Sequence, residues 1–96
     1  MSSPYDVTRF SSTHLGTSER DVIPLAALKP GDKAVVVAIV GGPGLIRRLA
    51  DLGLTPGTEV EMSRRGVLRG PIEVYVRGVR LALGFGVASK VLVKPL

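Results

Sequence analysis

The stretch Leu45-Ile46-Arg47-Arg48-Leu49-Ala50-Asp51-Leu52-Gly53-Leu54-Thr55-Pro56-Gly57-Thr58 constrains this chain more than any other. Leu45, Leu49 and Leu52 are spaced by four and three, with Ile46 beside them, which gathers them on one face of a short helix. Gly53 supplies the left-handed residue that closes a helix, and Leu54 is then placed to fold back on Leu49 in a Schellman arrangement. Pro56-Gly57 sets a type II turn, because proline fixes φ and glycine accepts the positive value that follows. Beyond it Val60 and Met62 alternate with Glu59 and Glu61, the period of a half-buried strand. A helix of two or three turns is marginal alone, so its leucines, Leu49 and Leu52 with Leu54 behind them, are expected to be core residues packed on a sheet.

The turn occurs twice. Leu28-Lys29-Pro30-Gly31-Asp32-Lys33-Ala34-Val35-Val36 aligns with Leu54-Thr55-Pro56-Gly57-Thr58-Glu59-Val60-Glu61-Met62. Two copies are too few for a solenoid and mark two similar strand entrances in one small fold. Lys33 to Val40 is almost wholly apolar and β-branched, which predicts a strand buried on both faces or nearly so. Gly41-Gly42-Pro43-Gly44 ends it, with Pro43 placed to open the helix. It lacks the Lys-Ser or Lys-Thr of a phosphate loop, so it reads as a strand-to-helix turn.

Arg64 to Gly70 reads as a loop carrying Arg64, Arg65 and Arg69. Ile72, Val74 and Val76 then point inward, and Arg77-Gly78 predicts a two-residue hairpin turn. That turn pairs Val76 with Val79, Val74 with Leu81 and Ile72 with Leu83 on one face. It sets Tyr75 opposite Arg80 on the other, in reach of a cation–π contact. Gly84 to Ser89 predicts a turn or a single helical turn, and Lys90 to Lys94 a last short strand. The sum is a mainly β chain of about five strands with one short helix. Sheets this small manage their edges by curling shut, so the expected fold is a small SH3-like barrel with the helix plugging the loop between its first two strands.

The domain is expected to span residues 23–96. Residues 1–22 are rich in Ser and Thr without sustained periodicity and read as a flexible tail. They show no basic start and apolar run of a secretory signal, and no stretch approaches the ~18 apolar residues of a membrane helix. The expectation is a cytoplasmic protein with no direct membrane insertion. There is no cysteine, so neither a disulfide nor a thiolate metal site is available. The formal net charge is +5, carried mostly by arginine. That balance suits nucleic acid, an anionic membrane surface or an acidic protein, without choosing among them.

The block Arg48-Leu49-Ala50-Asp51-Leu52-Gly53-Leu54 with Pro56-Gly57-Thr58 resembles the ferrous-iron transport protein A (FeoA) family. So do the Leu28-to-Gly31 entry and the hairpin Val76-Arg77-Gly78-Val79-Arg80-Leu81-Ala82-Leu83. The resemblance covers about three quarters of the chain. It implies a cytosolic SH3-like protein supporting bacterial ferrous iron uptake, with the membrane transporter FeoB and its cytosolic GTP-binding domain as partner. The same fold serves as an accessory domain of iron- and manganese-responsive repressors. Two features depart from the family pattern: the extra tail, and Gly84-Phe85-Gly86 in place of a charged segment.

No catalytic set is present. The one histidine, His14, lies in the tail, and the carboxylates are scattered, so no enzyme, no metal site and no cofactor are expected. The contact residues for a protein partner are expected among Leu45, Arg47 and Arg48 on the helix and Arg64, Arg65 and Arg69 on the loop, where guanidinium groups can meet carboxylate or phosphate bidentately. A basic nucleic-acid-binding barrel is the competing reading. Only Tyr75 and Phe85 in the domain could stack on bases, so no nucleic acid is expected. The assembly is expected to be a monomer or a weak homo-oligomer.

Overall fold

The computed structural model describes residues 21–96. The expected tail, His14 included, lies outside the described residues but for its last two positions. The order of elements is β1 (Ile23–Pro24), a 3-10 turn (Leu25–Ala27), β2 (Lys33–Ile39), α1 (Pro43–Asp51), β3 (Glu59–Arg65), β4 (Ile72–Val76), β5 (Val79–Leu83), α2 (Phe85–Ala88) and β6 (Val91–Pro95). All strands join one antiparallel sheet in the order β1-β6-β2-β3-β4-β5. This is the mainly β, SH3-like arrangement expected, with the helix between β2 and β3. It has one more strand than expected, because Ile23 and Pro24 pair with Val93 and Leu92. A two-residue edge strand containing proline leaves almost no periodic signal.

Closure by strand pairing does not occur among the described residues: β1 and β5 each have a neighbour on one side only. The sheet curls instead. Register shifts between Val36 and Ala38 in β2 and between Met62 and Arg64 in β3 are bulges that bend and twist it around one core face. That face carries Ala34, Val36, Val60, Met62, Ile72, Val74, Val76, Leu83, Val91 and Val93, all buried. The other face of β2 is uncovered, so Val37 is 42% exposed and the run is not buried on both sides as its composition suggests. β-Branched residues favour the pleated backbone whether or not a second layer covers them.

The two Leu-x-Pro-Gly copies form type II turns, with Asp32 N–H donating to the Lys29 carbonyl (2.9 Å) and Thr58 N–H to the Thr55 carbonyl (3.0 Å). Each turn is bonded to the other copy's strand. Gly31 N–H donates to the Met62 carbonyl at 2.8 Å and Met62 N–H to the Asp32 carbonyl at 2.9 Å. Reciprocally, Gly57 N–H donates to the Val36 carbonyl and Val36 N–H to the Thr58 carbonyl, both at 2.8 Å. In the repeat Gly31 corresponds to Gly57 and Val36 to Met62. Ala34 and Val60, which also correspond, pair directly. The repeat is therefore a local two-fold embrace at the centre of the sheet.

Helix α1 opens with Pro43 at its first turn and closes as the sequence predicts. Gly53 has φ +92°, its N–H donates to the Ala50 carbonyl (2.9 Å), and Leu54 N–H donates back to the Leu49 carbonyl (2.9 Å). These are the two bonds of a Schellman motif. Leu49 and Leu54 are buried in the core, with Leu45 packed against it. Leu52 is not core: it is 46% exposed. It sits at the C-cap with φ −89° and ψ 0°, where the chain leaves the helix, and Leu54 occupies the space its spacing promised. The β4–β5 hairpin has the expected register throughout, around a turn with φ 53° at Arg77 and 80° at Gly78. Edge position leaves Val79 57% exposed although it lies on the inward-facing register.

Candidate functional site

Strand β4 separates the two arginine clusters. The position of a Cβ on Gly53 lies 3.5 Å from a Val76 methyl, so α1 ends beside the Val76 end of β4 and the Arg77-Gly78 turn. Arg65 pairs with Ile72 at the other end, where the β3–β4 loop begins. The residues expected to share one contact surface thus sit at opposite ends of the sheet: Leu45, Arg47 and Arg48 at one, Arg64, Arg65 and Arg69 at the other.

At the helix end Arg47 and Arg48 are exposed and Leu45 is half-buried. Two apolar residues near this stretch of chain are also uncovered, one placed next to the leucine face by its spacing and one expected in a strand buried on both faces or nearly so. Ile46 is 42% exposed on the helix flank, and Val40 is 57% exposed at the end of β2. Ile46 and Leu52, three residues to either side of Leu49, leave α1 apolar on both flanks of the leucine that anchors it.

At the loop end Arg64 and Arg65 belong to β3 and not to the loop, with Arg64 opposite Glu73. The loop proper is pinched at its neck. Gly66 N–H donates to the Pro71 carbonyl (2.7 Å) and Gly70 N–H to the Val67 carbonyl (3.0 Å). A Cβ on Gly66 would lie 2.8 Å from the Gly70 backbone, an approach only glycine permits. Arg69 lies with its guanidinium carbon 5.6 Å from the centre of the Phe85 ring on α2. Sequence reasoning singled out the arginines and passed over Val67 and Leu68, which are 84% and 94% exposed. Their signal was available: an apolar pair between two glycines, in a loop with no partner periodicity to bury it.

On the outer face, Arg80 Nη2 donates to the Tyr75 hydroxyl at 2.9 Å, with its guanidinium carbon 5.4 Å from the ring centre. The expected pairing is present, anchored at the hydroxyl. That hydrogen bond, then one to Ser63, holds the Tyr75 phenol below its ordinary pKa, and the same bond raises that of Arg80. Glu73 adds an Arg80 contact at 3.9 Å. Neighbouring Glu59 and Glu61 line a shallow groove together with Lys33 and Arg77, so each carboxylate has a cation nearby. Among the described residues no group of three or more His, Asp or Glu is placed to hold a metal ion.

The model of the FeoA domain matches residues 23–95. The chain belongs to the FeoA family. Its fold is that of an iron uptake regulatory protein (FeoA) solved by crystallography, at 43% identity and a TM-score of 0.72, covering 78% of this chain and 97% of that one. The FeoA protein of Chlorobium tepidum, solved by NMR, is 36% identical with a TM-score of 0.71, over 77% of this chain and 70% of that one. An Fe(2+) transport protein A of Methanocaldococcus jannaschii is 32% identical over 71 residues, 74% of this chain and 84% of that one. The fold also recurs in a manganese-dependent transcriptional repressor, 25% identical with a TM-score of 0.71, over 78% of this chain and 42% of the repressor. Membership makes this FeoA-family chain a non-catalytic accessory domain. What its surface offers is contact, through arginines and uncovered apolar side chains at two separate ends.

Proposed function

We propose that this FeoA-family protein is a cytoplasmic accessory factor for ferrous iron uptake that docks on the cytosolic part of a FeoB-type transporter through α1. The family match and the iron transport named for the relatives support the pathway. The contact rests on one observation: Ile46 and Leu52 stand uncovered on the helix that carries Arg47 and Arg48. Apolar side chains rimmed by guanidinium groups are what a specific protein interface presents. In this reading iron itself is handled by the transporter.

Retention of the full chain by the transporter's immobilised cytosolic domain tests this. The wild type is expected to be retained, and Ile46→Ser with Arg47→Ala to lose at least about tenfold, the typical weight of interface anchors. Arg64→Ala with Arg65→Ala is expected to be retained like the wild type. Failure of the wild type to bind overturns the docking reading, and loss through the loop pair alone moves the contact to the other end. A nucleic-acid function is tested by titration against random DNA and RNA, where no low-micromolar binding is expected. Tight binding with a steep salt slope would establish it.

A further inference from the structure

The β3–β4 loop is built against its own stability. Leu68 and Arg69 have φ 53° and 62°, the left-handed region that side chains other than glycine and asparagine occupy at a cost. The hydrogen bond from Gly70 to Val67 closes a tight turn around them, the kind that ordinarily takes Asn-Gly. Burial does not offset the strain, because Leu68 is the most exposed large apolar residue described and Val67 the next. Neither local conformation nor packing accounts for leucine at this apex. A strained, uncovered position of this kind points to a bound state.

The surroundings say what binds. No carboxylate lies between Arg64 and Pro71, while three arginines do: Arg64 and Arg65 at the base and Arg69 beside the apex. Leu68 and Arg69 share the apex, with Arg69 over the Phe85 ring, and Arg64 and Arg65 stand at the base behind them. We infer that Val67 and Leu68 form a wedge that enters the headgroup region of a bilayer rich in anionic phospholipid, with Arg64, Arg65 and Arg69 on the lipid phosphates. Amphipathic segments seat at an interface in this way, by apolar insertion plus attraction to anionic lipid. A protein groove fits less well. The loop tip projects into solvent, with Val67 and Leu68 almost fully exposed, and has no concave face to receive a partner. Single-stranded nucleic acid would require an aromatic platform where valine and leucine stand. The inference is independent of the transporter contact, which lies at the opposite end of β4. It amends the expectation of no direct membrane insertion to a shallow interfacial contact.

Co-sedimentation of the full chain with phosphatidylcholine vesicles, with and without roughly one third phosphatidylglycerol, tests it. Partition is expected only with phosphatidylglycerol. It should fall steeply between 0.1 M and 1 M salt, over which the screening length shrinks from about 10 to about 3 Å. Each arginine contributes about fivefold, so Arg64→Ala with Arg65→Ala should cost roughly 25-fold. Leu68→Asn keeps the fold and suits the turn better, so its urea midpoint should equal or exceed that of the wild type while partition falls several-fold. The chain has no tryptophan. Leu68→Trp therefore provides a single probe, whose emission should shift to shorter wavelength on anionic vesicles. Equal partition on neutral vesicles, unchanged partition of Leu68→Asn, or an unshifted emission spectrum of Leu68→Trp would each overturn the wedge. So would loss of soluble transporter-domain binding in Leu68→Asn without any vesicle binding by the wild type, which would assign the loop to a protein.

Discussion

Leu49 is the one fully buried side chain of α1, and the effect of removing it can be bounded from both sides. Leu→Ala in a core costs about 2–5 kcal/mol, the spread reflecting how far the site can collapse. Leu49 is 2% exposed, so the transfer loss is complete. The surroundings, however, can yield. Helix α1 has nine residues, below the length that holds alone, and its other inward residue, Leu45, is only half-buried. The helix can therefore settle or lift away, and this relaxation caps the loss at about 2–3 kcal/mol. Leu54 is different. It is fully buried and fixed between the Schellman bond to Leu49 and the Pro56-Gly57 turn, so its cavity cannot close, and Leu54→Ala should cost about 3–5 kcal/mol. Ile46→Ala, on the exposed flank, should cost under about 1 kcal/mol. Urea denaturation followed by circular dichroism reads the series. A domain of ~75 residues holds about 4–11 kcal/mol, so all three variants fold or come close to it. In Leu49→Ala the amides of α1 should exchange faster while those of β3 and β4 keep their protection. A loss below about 1 kcal/mol for Leu49→Ala, or one equal to that of Leu54→Ala with uniform loss of protection, refutes the picture of a helix tethered by a single side chain.

Two further outcomes follow from backbone and side-chain geometry. Gly53→Ala places a side chain at φ +92° with only an ordinary 3.5 Å contact to Val76, so the cost is conformational, about 1–2 kcal/mol. Gly44→Ala, inside the first turn of α1 with nothing within 4 Å, should instead stabilise by up to about 1 kcal/mol, and thermal melting of the pair reads opposite signs. The Tyr75 phenol is held below its ordinary value of about 10 by the bond from Arg80, so in the folded protein it ionises before a free tyrosine does. The stabilisation this gives is present above the unfolded pKa and lost as pH falls through the folded one. Absorbance titration should show the early phenolate, and Arg80→Ala should move it back toward the free value, with the Ser63 bond retaining the remainder.

What could be read from the sequence was whatever local chemistry decides. The Schellman closure at Gly53, the paired Pro-Gly turns and the register of the β4–β5 hairpin each depend on residues within a few positions of one another. Glycine and proline fix the backbone there without reference to the rest of the fold. The errors came where a distant partner decides. Leu52 has helical spacing, yet the helix ends one residue before it and Leu54 takes the core position. Val37 belongs to a strand that reads as doubly buried, yet only one layer exists to cover it. Expecting barrel closure assumed that β5 would find an edge to pair with, and no local pattern encodes that. The candidate site follows the same division. All six residues expected at the contact surface except Leu45 are exposed, because arginine seldom is not. That they occupy two ends of the molecule follows from β4 running between them, a relation that exists only once β3 and β4 are paired.

That separation shapes how contacts at the two ends would work together. Strand β4 spans about 13 Å between Ile72 and Val76, with α1 beyond one end and the loop projecting from the other. A wedge seated in a bilayer would therefore turn α1 away from the lipid, toward the side from which the proposed cytosolic domain would meet it. A few arginines and a short apolar tip at an interface give weak, reversible attachment. A small helix face gives another. Joined on one rigid domain, the second contact becomes intramolecular, and avidity can exceed either affinity by about 10²–10⁴ where the geometry lets both engage. A single flat surface combining the same residues would gain none of this, since both clusters would compete for one partner. The split distribution of charge, which composition alone makes look like a general basicity, is thus the feature that would favour a membrane-embedded partner over the lipid or the cytosolic domain alone, each of which it would hold more weakly.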